Sequence, residues 1–112
     1  ACEMAQGSDV AITCNVDAID LMEESLGLAR MGILPEGMYR NRAFAEGEVD
    51  PGETELAKQD MLYDPQTAGG LLIAVHPEDG DALFAELQGC VPSAQRIGTV
   101  IPYTGEKRIY LK

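Results

Sequence analysis

Tryptophan is missing from this chain, phenylalanine occurs twice and histidine once. Basic residues are scarce, 8 against 19 acidic ones, which leaves a formal net charge of −11. A surface that negative repels phosphodiester backbones, so nucleic acid is excluded as a partner. No apolar run approaches the ~20 residues of a transmembrane helix, and the first residues lack the basic-then-apolar order of a signal peptide. Neither a membrane nor export is called for. The three cysteines, Cys2, Cys14 and Cys90, form an odd set at spacings that match no zinc pattern. None has a histidine partner in sequence, since the lone His76 is followed by Pro77 at a helix start. Cysteine catalysis and a resident metal are therefore not expected within the chain, and unpaired thiols fit a reducing cytoplasm.

What is present suits one ordered domain spanning residues 1–112, with 46% hydrophobic residues and no internal repeat. Residues 1–6 read as the last turns of a helix capped by Gly7. Val10 to Val16 alternates as a strand, with Val10, Ile12, Cys14 and Val16 on one side. Asp17 is placed as the N-cap of a helix reaching about Met31 along an Ile19, Met22, Leu26, Ala29 stripe, and Gly32 ends it. Glycines and prolines mark 32–52 as a long ordered loop, with a short extended piece near 43–49. Thr54 is a candidate cap for a helix through about Leu62. Pro77 opens another helix, with Leu83, Phe84 and Leu87 as its buried stripe and Gly89 as its stop. Residues 97–101 and 108–111 read as strands of a hairpin. Mixed helices and strands imply an α/β (α+β) sandwich, a mixed β-sheet covered by helices.

The most informative run is 61–75, where Pro65 leads into a polar, glycine-bearing turn and then five apolar residues. Leu71 to Val75 is expected as a strand buried on both faces. In the loop before it, Gly69 and Gly70 permit positive φ, so their N–H groups form either a small anion-binding nest or a plain tight turn. No GxGxxG or GxxxxGK[ST] occurs, and the order helix–glycines–strand is the reverse of those phosphate motifs. Arg40 and Arg42 are the one basic cluster before the C-terminus. They either meet an anionic ligand or pair with acids such as Glu36 or Glu46. The acidic stretches Glu46 to Glu48, Asp50 and Glu53 to Glu55 are either metal donors or a solvated face, and no fixed ligand geometry favours the former.

The run Asp64-Pro65-Gln66-Thr67-Ala68-Gly69-Gly70-Leu71-Leu72 resembles the DPQTSGGLL signature of the selenophosphate synthetases, with Ala68 in place of the usual Ser. Residues 31–42, MGILPEGMYRNR, are similar to that family's MG-x-x-P-G-G-T-x-R-N-R run, with Glu36 and Met38 as departures. Glu3 to Ser8 resembles its EMAKGS corner. The resemblance implies a C-terminal domain of the aminoimidazole ribonucleotide synthetase superfamily. The absent N-terminal half would carry the reactive Cys or selenocysteine and most of the nucleotide site, and the two halves would meet near a metal-binding DVTGFG segment.

The implied parent makes selenophosphate from selenide and ATP with Mg2+, releasing AMP and phosphate. It is homodimeric through its N-terminal half; the fragment alone is expected to be an inactive monomer. Arg40, Asn41, Thr67, Gly69 and Gly70 then become candidates for a wall facing the phosphates, with no catalytic residue of the chain's own. Asp64 is either an Asx-type turn former or a second-sphere magnesium partner, and Gln66 lies in the same turn. Losing the Ser hydroxyl at position 68 removes a contact worth about 1 kcal/mol, which weakens a phosphate role without abolishing it. Competing readings are another ATP-using member of the superfamily, such as aminoimidazole ribonucleotide synthetase or thiamine-phosphate kinase, and a non-catalytic acidic binding module.

Overall fold

Four strands frame the fold in this computed structural model, which describes residues 1–91 and 93–112. They are β1 (Val10–Cys14), β2 (Val49–Asp50), β3 (Gly98–Pro102) and β4 (Ile109–Leu111), in the sheet order β2-β4-β1-β3. β1 runs antiparallel to β3 and parallel to β4, and β4 runs parallel to β2. Five α-helices accompany the sheet: α1 (Cys2–Gly7), α2 (Ser25–Arg30), α3 (Glu36–Ala45), α4 (Leu56–Leu62) and α5 (Pro77–Cys90). The mixed sheet with helices is the α+β arrangement the sequence implied.

Alternation in β1 works as read. Val10, Ile12 and Cys14 pack with Ala5 of α1, Val16, Val49, Ile109 and Leu111 in one apolar cluster, closed off by Leu62 and Tyr63. Burial raises the Cys2 and Cys14 thiols above their ordinary range, which suits packing rather than nucleophilic use. Ala29 of α2, Met38 of α3 and Ala57 of α4 are also buried. α2 ends in a Schellman motif: Gly32 has φ +76°, its N–H meets the Ala29 carbonyl, and Ile33 N–H meets that of Leu28.

Several expectations fail for identifiable reasons. α1 runs through Gly7 to a cap at Ser8, and the left-handed residue is Asp9. The helix expected from Asp17 is broken. Asn15 Oδ1 accepts from Asp17 N–H to cap a three-residue 3-10 turn, Val16–Ala18, while the Asp17 carboxylate pairs with Lys58. Helix resumes at Ser25 only after Glu24 takes a left-handed φ of 65°. The supposed loop 32–52 contains α3, a 3-10 turn at Glu46–Glu48 and β2. α4 starts at Leu56 with Glu55 at its cap, and Thr54 contributes its carbonyl to the Gln59 side chain instead. α5 starts at Pro77 as read, but it runs past Gly89 to Cys90, and Leu83, Phe84 and Leu87 are only half-buried.

β3 and β4 are not a hairpin, because β1 lies between them. The connection crosses the start of β1 and is pinned there by Arg108. That guanidinium lies 3.4 Å from the centre of the Tyr103 ring and 3.1 Å from both Asp9 Oδ1 and the Val10 carbonyl. The largest departure is 71–75. This run belongs to no strand, and all five residues are exposed, Leu71 to 90%. Apolar, β-prone sequence specifies a strand only where a partner edge is in place, and none lies alongside here.

Close packing of β1 on β3 yields a test. A Cβ on Gly98 would sit 2.2 Å from the Thr13 carbonyl oxygen, a backbone atom that cannot swing aside. Gly98→Ala is expected to cost about 2 kcal/mol, the usual order for forced overpacking. That corresponds to a fall of roughly 10 °C in Tm for a domain of this size. An unchanged melting curve would contradict the β1–β3 register.

Candidate functional site

The two runs singled out in the sequence, 31–42 and 61–72, are brought together by α3 and the end of α4. Helix α3 begins at Glu36 with Pro35 at its N-cap, in extended conformation as a cap residue should be. Gly37 lies in its first turn. A Cβ there would come within 2.8 Å of Pro65 Cγ, so glycine lets the helix rest directly on the proline that starts the loop. One turn later, Asn41 Nδ2 donates to the Tyr63 carbonyl at 2.9 Å. That carbonyl stands at the C-cap of α4, where no intrahelical donor is available, so Asn41 closes the helix end.

Arg42 continues the clamp inward. Its guanidinium forms an ion pair with Asp60 of α4, whose residue exposure is only 6%. Neither Arg42 Nη2 nor Asp60 Oδ1 has another hydrogen-bond partner among the described residues. The guanidinium also sits 5.4 Å from the centre of the Tyr63 ring. Burial pushes the Tyr63 phenol above its ordinary pKa, against the opposite pull of Arg42. Arg42 is thus a structural cation, paired with neither Glu36 nor Glu46. Sequence reasoning missed Asp60, Tyr63 and Gly37, and the one signal available was the spacing of an Arg and an Asp on two helices.

Arg40 is placed differently. Its side chain is 76% exposed and reaches only Glu36, one turn back, at 4.0 Å. An exposed pair of that kind contributes little and yields readily to a better anion. Five other basic side chains, Arg30, Arg42, Lys58, Arg96 and Arg108, are held by closer carboxylates, and Lys107 donates to the Gly47 carbonyl. Arg40 is therefore the less committed of the two cations on α3.

The loop itself is open. Thr67, Gly69 and Gly70 are exposed, Thr67 and Ala68 lie in a backbone turn, and no hydrogen bond among the described residues engages the Thr67 hydroxyl. Gly69 and Gly70 do not adopt positive φ, which is confined to Gly32, Gly52 and Gly105 among the glycines. The alternating geometry of a backbone nest is not formed. A Cβ on Gly69 would meet Gln66 Oε1 at 2.9 Å, so glycine accommodates the Gln66 side chain. The turn at Asp64 is closed by its own carbonyl, which accepts from Gln66 N–H at 2.9 Å, and not by its carboxylate. The two principal surface grooves, of about 510 and 380 Å3, are lined elsewhere, by residues such as Lys58 and Thr54 in one and Arg42 and Gln59 in the other. Among the described residues no three His, Cys, Asp or Glu side chains converge as a metal cage, and within the acidic stretches Glu55 pairs with Arg30.

Residues 1–110 match the family model described as AIR synthase related protein, C-terminal domain. The chain is 43% identical over 110 residues to the selenide, water dikinase of Clostridioides difficile (strain 630), covering 96% of the chain and 31% of that protein. It is 42% identical over 97 residues to selenide, water dikinase 2 of Peptoclostridium acidaminophilum, covering 87% and 28% respectively. A further match, 38% over 102 residues, is to the selenide, water dikinase of Trichlorobacter lovleyi, covering 91% and 30%. The chain thus spans about a third of the length of these relatives, and the resemblance carried by the motifs is upheld.

The Arg42–Asp60 pair makes a direct prediction. Asp60→Ala strands a largely desolvated guanidinium, so the domain is expected to lose about 3 kcal/mol. Chemical denaturation would show this as a lower midpoint with an unchanged slope. A midpoint within error of the parent's would mean the pair is not the clamp between α3 and α4.

Proposed function

We propose that this chain, which belongs to the family of AIR synthase related protein C-terminal domains, serves as the C-terminal domain of an enzyme making selenophosphate from selenide and ATP, with release of AMP and phosphate. The relatives named selenide, water dikinase support this activity, and the missing two-thirds of their length would supply the N-terminal half as its partner. Within that enzyme the chain contributes a phosphate-facing wall. The observation that carries this reading is an exposed polar loop anchored on α3, through Asn41 to Tyr63 and Gly37 to Pro65, the helix that also bears the weakly held Arg40.

The chemistry follows from charge. A domain of net charge −11 repels a free polyphosphate, so an anion site needs a local donor set and a counter-ion. Arg40 offers a planar guanidinium, Thr67 a hydroxyl, and Gly69 and Gly70 offer N–H groups unshielded by side chains. Magnesium would enter with the nucleotide. The reaction's nucleophile belongs to the N-terminal half, so the chain orients phosphate without breaking bonds itself and is inactive and monomeric alone. No helix among the described residues is long and apolar enough to cross a membrane, and a cytoplasmic location fits the free thiols.

Two measurements separate the activity from the wall. A hybrid carrying this chain in place of the matching region of the Clostridioides difficile relative is expected to release AMP from ATP in the presence of selenide. A hybrid that melts like the parent yet releases none would overturn the enzymatic reading. In the same hybrid, Arg40→Ala together with Thr67→Ala is expected to raise the KM for ATP roughly 10-fold or more, the loss of one or two charge-assisted contacts. Unchanged ATP affinity and turnover would remove these residues from the site.

A further inference from the structure

The side chain that aims the signature loop is distinct from those that meet a ligand in it. We infer that Asn41 is a positioning residue: its amide sets the plane of the Tyr63–Asp64 peptide, and that plane sets the direction in which residues 65–70 leave α4. Its effect on catalysis rests on the phosphate-facing wall proposed above, whereas its hold on the loop does not.

The peptide is gripped on two sides. A planar peptide unit turns as a whole about the bonds that flank it, swinging its carbonyl and its N–H together. At Tyr63–Asp64 the carbonyl accepts from Asn41 Nδ2 at 2.9 Å, while the N–H donates to the Met61 carbonyl at 3.3 Å. The second bond lies at the long end of the useful range, so the shorter one from α3 is the firmer hold. A carbonyl can be served only by the NH2 group of an asparagine, which fixes the way the Asn41 amide lies. Its donor is thereby directed to the backbone of the loop entry.

Orientation is then passed along a stiff path. Pro65 comes next, its ring holding φ near about −65°, and it rests on Gly37 of α3. Gln66 N–H donates to the Asp64 carbonyl at 2.9 Å, closing a tight turn centred on the proline. Gly69 in turn lies against the Gln66 side chain. A rotation of the Tyr63–Asp64 plane therefore carries Gln66 with it, and through Gln66 the stretch from Thr67 to Gly70. The helix contact itself stands on other residues, the Arg42–Asp60 pair and the buried Met38. Asn41 is exposed, so replacing it leaves no cavity, and its loss frees the loop entry while α3 and α4 stay together.

Asn41→Leu is the test, since leucine keeps the branched shape of the side chain and removes the donor. In the 112-residue chain without nucleotide, amide NMR shifts are expected to gather in residues 63–70, with the β1 and β4 resonances in place. In the hybrid enzyme Asn41→Leu is expected to raise the KM for ATP roughly 10-fold, and to raise it far less once Thr67→Ala is present, because residues that act through one another couple. Loop resonances unmoved by Asn41→Leu would overturn the inference. So would kinetic effects that multiply undiminished in the double variant, which would make Asn41 an independent contact to the ligand. If Arg40→Ala with Thr67→Ala leaves KM unchanged, the wall itself is lost, and the loop shifts alone then decide the role of Asn41.

Discussion

The ion pair between Arg42 and Asp60 fixes how α3 and α4 meet. Both groups are largely withdrawn from water, and a withdrawn charge is tolerated only when its counter-charge is held in contact. The pair therefore requires α3 and α4 to sit at one separation and one rotation. Once Arg42 points inward, the 100° step of the helix turns Asn41 toward the C-terminal end of α4 and Arg40, two steps on, to the far side. The exposed cation is a geometric consequence of the buried one. Tyr63 ties the arrangement together, its ring beside Arg42 and its carbonyl receiving Asn41.

Local signals were legible and non-local ones were not. The alternation of Val10, Ile12 and Cys14, the positive-φ glycine after α2 and the proline at the start of α5 each act within a few residues, and each was readable. α3 was hidden because Gly32, Pro35, Gly37 and Gly47 read as punctuation. Pro35 and Gly32 do punctuate, but Gly37 is small for Pro65, 28 positions later, and no local rule carries that information. The hairpin reading failed similarly: residues 98–102 and 109–111 are neighbours in sequence, yet β1 lies between them, and Arg108 of the connection binds Asp9 and Val10 at its start. Residue types singled out this loop and helix, and the structure brings them together through Asn41 and Gly37. The division of labour between Arg40 and Arg42 depended on Asp60, which sequence spacing left anonymous.

Electrostatics narrows the function further than shape does. An acidic domain can still receive an anion if its few cations are not already spent on its own carboxylates. Five of them are held by close acids, in pairs such as Arg30 with Glu55, where the arginine holds the Glu55 carboxyl below its ordinary pKa. Arg40 escapes that fate because Glu36, its nearest acid, lies on the same exposed helical face at the limit of contact. Neither surface groove offers the same combination, since Lys58 of the larger one is paired with Asp17 and Arg42 of the smaller one with Asp60.

The signature loop is thus anchored at one end and loose at the other. Pro65 rests on Gly37 and Tyr63 is held by Asn41, so the entry to the loop is fixed by α3. Its exit runs through Gly70 into Leu71, where no backbone hydrogen bond holds the chain. Amides that are to meet a phosphate must be held in place at both ends, because ordering a floppy loop on binding consumes the affinity the contacts provide.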